Sequence, residues 1–89
     1  MSKPLTAPVC YRTQTRQLVT TVSAQSGENP ALIFERIYAR LLFLYGIDVY
    51  TYPRTSGESL LQVAERHNLL DKVYTLAYAE HLYQQQDAD

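Results

Sequence analysis

Apolar side chains recur at helical spacing in four stretches of the chain, and capping or turn residues separate the stretches. The clearest one runs from residue 30 to about residue 45. Asn29 is a favourable N-cap, Pro30 suits the first helical position, and Gly46 often follows a helix end. At about 100° per residue, this stretch has one broad apolar face. That face carries Ile33, Phe34, Ile37, Tyr38, Leu41, Leu42, Leu44 and Tyr45. The pattern predicts the helix that supplies most of the core.

A first helix is predicted over residues 13–26, where a short apolar stripe lies on one side. Thr13 or Thr15 can cap its start, because threonine is a common N-cap residue. The β-branched residues at positions 20–22 lower the helix propensity of this stretch. A strand is therefore the alternative.

The last third of the chain predicts two more helices. Thr55 and Glu58 have the spacing of a capping box, which favours a third helix starting there and ending near Asn68. Asp71 can cap a fourth helix, whose inner side is apolar.

Residues 47–52 alternate between apolar and polar positions, which predicts either one short strand or an extended connector. Residues 1–11 contain two prolines and are expected to be an extended arm, and residues 85–89 a polar tail. Residues 12–84 then make one domain. The fold class predicted is mainly α, a compact bundle of about four helices with a short extended segment near residues 47–52.

Charge is low and unevenly distributed along the 89 residues. The net charge is −1, which argues against a strongly basic nucleic-acid domain. Residues 1–54 sum to +3, from six basic and three acidic side chains, and residues 55–89 sum to −4, from two basic and six acidic. The two halves can attract each other within one molecule or between two copies.

Several classes of protein are not expected from this composition. Cys10 is the single cysteine, which rules out an internal disulfide and fits a reducing compartment. The chain has no apolar run long enough for a membrane span and its start does not resemble a signal peptide, so we expect a cytoplasmic protein without membrane contact.

Catalytic and metal-binding patterns are also missing from the sequence. Cys10, His67 and His81 lack the close spacing of metal ligands. The three glycines stand far apart, which excludes a glycine-rich phosphate loop. Neither Ser-Gly pair lies in a nucleophile elbow. We therefore expect no enzyme activity, no cofactor and no metal site.

One helix surface is a candidate for partner binding. Arg36, Arg40 and Phe43 lie opposite the core stripe of the second helix, and arginine and aromatic residues are common anchors of interfaces. They could dock an acidic or phosphate-bearing partner. The favoured alternative is that another helix covers Phe43 and that the arginines pair with Glu35 or with the acidic half.

Tyrosine makes up eight of the ten aromatic residues, and it suits half-buried positions. Tyr50 and Tyr52 are expected on one side of the connector, as a core edge, a protein interface or a base-stacking surface. Arg12 and Arg16 form a second pair at helical spacing. They could contact a phosphate backbone or form a solvated face.

Two segments resemble the small helical C-terminal domains of phage antirepressors and related prophage regulatory proteins. They are Ile37-Tyr38-Ala39-Arg40-Leu41 and Tyr45-Gly46-Ile47-Asp48-Val49-Tyr50, within residues 12–52. The stretches starting at Gly57 and Leu70 look like a further piece. The family normally carries an N-terminal DNA-binding or regulatory domain, which this sequence does not show, so a detached module or an inhibitor is expected. The resemblance implies regulation by binding.

Three functions are carried forward. The first is a phage- or prophage-type regulatory protein that binds and modulates or inhibits a partner protein, such as a repressor or a nucleic-acid-processing complex. Its binding residues are predicted to be Arg36, Arg40, Phe43, Tyr50 and Tyr52. The second is a DNA- or RNA-binding module that uses Arg12, Arg16, Arg36 and Arg40. The third is a homodimer in which the basic half of one copy meets the acidic half of the other.

Overall fold

A computed structural model of the chain describes residues 10–87, with side chains described up to Gln84. Four α-helices make up most of it. They are α1 (Tyr11–Ser26), α2 (Pro30–Tyr45), α3 (Leu60–Arg66) and α4 (Leu70–Asp87), and a 3-10 helix, Val49–Thr51, lies between α2 and α3. No β-strand occurs among residues 10–87. The predicted mainly α, four-helix fold is confirmed.

The second helix has the bounds that its sequence predicts. The side chain of Asn29 accepts a hydrogen bond of 2.9 Å from the backbone N–H of Ala31, and Pro30 occupies the first turn. Gly46 follows the helix in the left-handed conformation, with φ of 70°, and donates its backbone N–H to carbonyls of the last turn. Each end of α2 is thus fixed by local chemistry before any tertiary contact forms.

The third helix begins later than its sequence suggested. The side chain of Glu58 does accept a hydrogen bond from the backbone N–H of Thr55, at 3.0 Å, but this bond closes a turn that precedes the helix. Gly57 adopts a positive φ of 80°, which interrupts helical geometry at that point. The true capping box is formed by Ser59 and Gln62, so the expected cap at Thr55 is wrong by four residues.

Other helix ends also shift. The first helix starts at Tyr11, so Thr13 and Thr15 lie inside it and neither is its cap; Cys10 is the capping residue. The fourth helix starts one residue before Asp71 and continues to Asp87, through the first part of the expected tail. Of the expected N-terminal arm, Tyr11 is helical and residues 1–9 lie outside the described residues.

The segment at residues 47–52 is neither a strand nor uniformly extended. Asp48 and Tyr52 are extended, but the three residues between them form a turn of 3-10 helix. The carboxylate of Asp48 accepts a hydrogen bond of 3.1 Å from the backbone N–H of Tyr50 and caps that turn. Because no neighbouring strand is present, the backbone groups are satisfied locally instead.

The three long helices pack side by side. Tyr11 meets Tyr74 near the starts of α1 and α4, so these two helices run in the same direction, and their contact is the most extensive in the fold. The second helix runs the opposite way, because its last residue lies near Lys72 and its middle lies near Glu80. The core between the helices comprises Val19, Val22, Ile33, Ile37, Tyr38, Leu41, Val49, Leu61, Val63, Ala64, Leu69, Leu70, Val73, Leu76 and Ala77.

The core stripe of α2 is shorter than its sequence suggested. Leu41 is fully buried, but Leu42, Leu44 and Tyr45 are exposed. The last turn of α2 therefore lies beyond the packed core, and its apolar side chains are in contact with water.

Thr15 is the one buried uncharged polar side chain of the described residues, and its hydroxyl has no hydrogen-bond partner there. Replacing it with valine keeps the shape and removes a buried polar group that lacks a partner. We expect Thr15→Val to raise the free energy of unfolding by about 1 kcal/mol, measured by urea denaturation. Thr20→Val, at an exposed position of the same helix, should change it by less than about 0.5 kcal/mol. A loss of stability in Thr15→Val would contradict the packing described.

Candidate functional site

The most exposed large apolar side chain of the described residues is Phe43, which is 87 % exposed. It shares a line along α2 with Leu32, which is 52 % exposed, and with Ala39, because residues spaced by seven and eleven fall on one side of a helix. We call Leu32, Ala39 and Phe43 the α2 outer face. This face points away from the buried side of α2 and is not covered by any described element.

The last turn of α2 also has exposed apolar side chains. Leu42, Leu44 and Tyr45 are between 46 % and 59 % exposed. The ammonium of Lys72 lies 5.8 Å from the centre of the Tyr45 ring. At about 100° per residue these three side chains point in different directions around the helix, so they do not extend the α2 outer face as one patch.

An ion cluster lies beside the α2 outer face and joins α2 to α4. Arg36 donates two hydrogen bonds to the carboxylate of Glu28, at 2.9 and 3.1 Å, and two more to one oxygen of Glu80, at 3.0 and 2.7 Å. Arg40 approaches the second oxygen of Glu80 at 3.1 Å. Both arginine side chains are about one-third to two-fifths exposed, while Glu80 is almost fully buried. Two positive and two negative groups balance each other.

Electrostatics within the cluster follow from this geometry. The hydrogen bonds from Arg36 lower the pKa of Glu28, more than partial burial raises it. The same bonds to Glu28 and Glu80 raise the pKa of Arg36 further above its usual value. Near neutral pH Glu28 and Arg36 are therefore both charged, and they form a stable ion pair.

Each of the two interpretations of Arg36, Arg40 and Phe43 describes part of this arrangement. The arginines do pair with the acidic half of the chain, through Glu80, and not with Glu35. No described helix covers Phe43, however. Spacing on α2 could show that the three residues are close, but it could not show that Glu80, some 40 residues later, pairs with both arginines.

The two connector tyrosines do not form a common surface. The ring of Tyr50 lies against Tyr38 on α2, with ring centres 6.0 Å apart, and Tyr50 remains 55 % exposed. The ring of Tyr52 instead meets His67 after α3, at 4.5 Å, and packs against the core. The 3-10 turn between them sends their side chains to different neighbours.

Three of the four arginines proposed to bind nucleic acid form ion pairs within the molecule. Arg12 pairs with Glu65 of α3 at 2.8 Å. Arg16 is exposed, and no ion pair involves it among the side chains of residues 10–84. Of the four arginines in that hypothesis, Arg16 alone therefore keeps its charge uncompensated within the described residues.

An open hollow of about 460 Å³ lies between α1 and the loop before α3. Arg66 donates hydrogen bonds to both oxygens of Glu58, at 2.8 and 3.0 Å, and to the carbonyl of Pro53. These bonds, with that from the backbone of Thr55, lower the pKa of Glu58 to about 2. The charged side chains in the hollow hold one another and the loop in place.

A row of aromatic rings runs along the junction of α1 and α4. Tyr11, Tyr74, Tyr78 and His81 follow one another with ring centres 5.1 to 6.3 Å apart. Tyr74 and Tyr78 lie one helical turn apart on α4, so helical spacing accounts for their contact. The part played by Tyr11 depends on how α1 packs, which no local pattern reveals.

Two further findings concern membrane and metal sites. No helix in residues 10–87 combines the length and apolar character needed to cross a membrane. Within the same residues, no three side chains of His, Cys, Asp or Glu are grouped so that they could hold a metal ion.

The chain matches no protein-family model, no curated protein and no solved structure.

We expect Glu80 to contribute more to the free energy of unfolding than any other acidic residue near α2. We expect Glu80→Gln to lower the free energy of unfolding by about 1–2 kcal/mol, because the neutral amide accepts weaker hydrogen bonds from Arg36 and loses the charge attraction to Arg40. Urea denaturation at neutral pH measures this. Glu35→Gln, at an exposed position of α2, is the control and should be nearly neutral. Equal effects in the two variants would contradict a stabilising role for the cluster.

Glu58 should make stability depend on pH in the acid range. A carboxylate whose pKa is lowered in the folded state stabilises the fold above its unfolded pKa, near 4.5, and loses this contribution as pH falls toward about 2. We expect Glu58→Gln to be less stable than the parent at pH 6 and nearly as stable at about pH 2. Denaturation at both pH values tests this, and a difference that does not change with pH would contradict it.

Proposed function

We propose that this protein is a regulatory protein of the phage or prophage type, which acts by binding a partner protein and modulating or inhibiting it. The α2 outer face is the binding surface. The exposure of Phe43 carries this proposal, because a phenylalanine that is 87 % exposed on a helix offers a large apolar area that a partner can remove from water. Aromatic side chains of this kind dominate the binding energy of many interfaces.

The ion cluster supports an apolar contact surface on the partner over an acidic one. Arg36 and Arg40 are already bound to Glu28 and Glu80, so they present little net charge to an acidic or phosphate-bearing molecule. Their aliphatic stems and compensated heads instead suit the polar rim of an interface, around an apolar centre at Phe43. Tyr50 is exposed but packs against Tyr38 on the buried side of α2, so it lies apart from this rim.

The regulatory part of the proposal is supported by the resemblance to antirepressor C-terminal domains at residues 37–50. Those residues include most of the second half of α2 and the connector. A repressor or a nucleic-acid-processing complex is the partner that such a protein would bind in the cytoplasm. Direct binding of nucleic acid has weaker support, because three of the four candidate arginines are paired with carboxylates.

Capture of a partner should depend on Phe43. We expect the tagged full chain to retain one dominant host protein from a nuclease-treated lysate, identified by mass spectrometry, and Phe43→Ser to lose at least about nine-tenths of it. Leu82→Ser is the matched control, since Leu82 is also a partly exposed apolar residue, but on α4. Circular dichroism of both variants shows whether the helices are intact.

Two outcomes would decide against parts of this proposal. Capture that survives Phe43→Ser would exclude the α2 outer face. A signal that disappears with nuclease would favour nucleic-acid binding, and its affinity should then fall steeply with salt. Reversing the charges of Arg36 and Arg40 is a poor test, because it would surround the buried Glu80 with like charges and unfold the protein.

A further inference from the structure

The ion cluster marks the line along which α2 and α4 meet, because Arg36 and Arg40 both contact Glu80. Around α4, the buried residues Val73 and Ala77 lie on one side of Glu80, toward the core. The opposite side of Glu80 faces solvent and lies next to the α2 outer face. A groove between the two helices therefore runs along the outside of the bundle, with the ion cluster as its floor. We call it the α2–α4 groove.

One row of side chains on each helix borders this groove. On α4 the row consists of Lys72, Ala79 and Tyr83. Their spacing, seven residues and then four, equals the spacing within the α2 outer face, so each row lies on one side of its helix. Because the two helices are antiparallel, Phe43 lies at the same end of the groove as Lys72, whose ammonium contacts the nearby Tyr45 ring.

The ends of the groove are apolar and its middle is open. Leu32 and Tyr83 lie about one turn beyond the ion cluster and are 52 % and 59 % exposed. Phe43 lies at the other end. Ala39 and Ala79 lie between them, and both are exposed, so only methyl groups project into the middle of the groove. From Leu32 to Phe43 the groove is about 16 Å long, which corresponds to three helical turns.

One end of the groove carries an uncompensated positive charge. The ion cluster in its floor is balanced and contributes little net charge. No ion pair involves Lys72 among the side chains of residues 10–84. Asp71 is adjacent in the chain but lines a hollow beside the start of α1 instead. The charge of Lys72 is therefore complementary to a carboxylate on a molecule that occupies the groove.

We propose that the partner contributes an amphipathic α-helix of about three turns, which lies in the α2–α4 groove and places a carboxylate next to Lys72. Helices that bind grooves do so through apolar residues spaced by three, four and seven positions. Such a stripe covers Ala39 and Ala79 and contacts Phe43 and Leu32 at its ends. The short alanine side chains let the axis of the bound helix come within the usual 8–10 Å of α2 and α4.

This inference rests on the proposed function and names the kind of partner surface that it involves. Its geometry needs no rearrangement of the fold. Arg36 and Arg40 keep their intramolecular carboxylates beneath the bound helix, so neither arginine is buried without charge compensation.

Stapled helical peptides test the groove without a host partner. The probes are two fluorescein-labelled peptides of about 15 residues with a leucine stripe at helical spacing. They are identical except for a glutamate or a lysine in each terminal turn. We expect titrations of the full chain, followed by anisotropy, to give a Kd on the order of 100 µM for the glutamate peptide. The lysine peptide should bind about threefold more weakly, and Lys72→Glu should reverse this preference.

A bulky substitution tests where the peptide binds. Ala79→Trp places a large ring in the middle of the groove and should raise the Kd of the glutamate peptide by at least about tenfold. Ala24→Trp is the matched control, because Ala24 is an exposed alanine of α1. It should leave the Kd unchanged. Circular dichroism of both variants shows whether the helices are intact.

The results separate this inference from the proposed function. The inference is overturned by a glutamate peptide that does not bind up to about 1 mM, by binding that survives in folded Ala79→Trp, or by an unchanged preference in Lys72→Glu. If a host protein is captured through Phe43 and is retained by Ala79→Trp, the proposed function stands and the groove assignment fails. If the peptides bind as expected and no host protein is captured, the helix-binding groove stands and the proposed function fails.

Discussion

The carboxylate of Glu80 lies almost fully buried between α2 and α4, where a lone negative charge would be very costly. Arg36 and Arg40 offset this cost, because each lies close to one of the two carboxylate oxygens. The two arginines are four residues apart on α2. Both can contact Glu80 only if α2 keeps one rotation about its own axis and one position along the length of α4. This constraint fixes which side of α2 faces the core, and therefore which side is left to Phe43.

The residues that stabilise the bundle lie beside those of the proposed binding surface. Arginines on a helix surface beside an aromatic residue are common at interfaces. In this protein Arg36 and Arg40 form ion pairs with Glu80 within the molecule, and Phe43 remains exposed. The proposed binding surface is therefore apolar, and the neighbouring charges are engaged within the molecule.

Local signals predicted the fold well where the chemistry that ends an element is itself local. Asn29, Pro30 and Gly46 fixed both ends of α2, because caps and left-handed glycines act within one turn. The spacing of Thr55 and Glu58 predicted the wrong helix start for the same reason. Their hydrogen bond does form, but it closes a turn that precedes the helix. Neither the exposure of Leu44 nor the pairing of Arg40 with Glu80 could be predicted, since both depend on where α4 lies relative to α2.

The most extensive contact in the fold joins its first and last helices. About 45 residues separate the end of α1 from the start of α4, so the chain must close a large loop before this contact forms. During synthesis, α1 emerges long before the helix that covers it. The apolar sides of α1 and α2 therefore stay partly exposed to water until α4, the last 18 residues of the described fold, has left the ribosome.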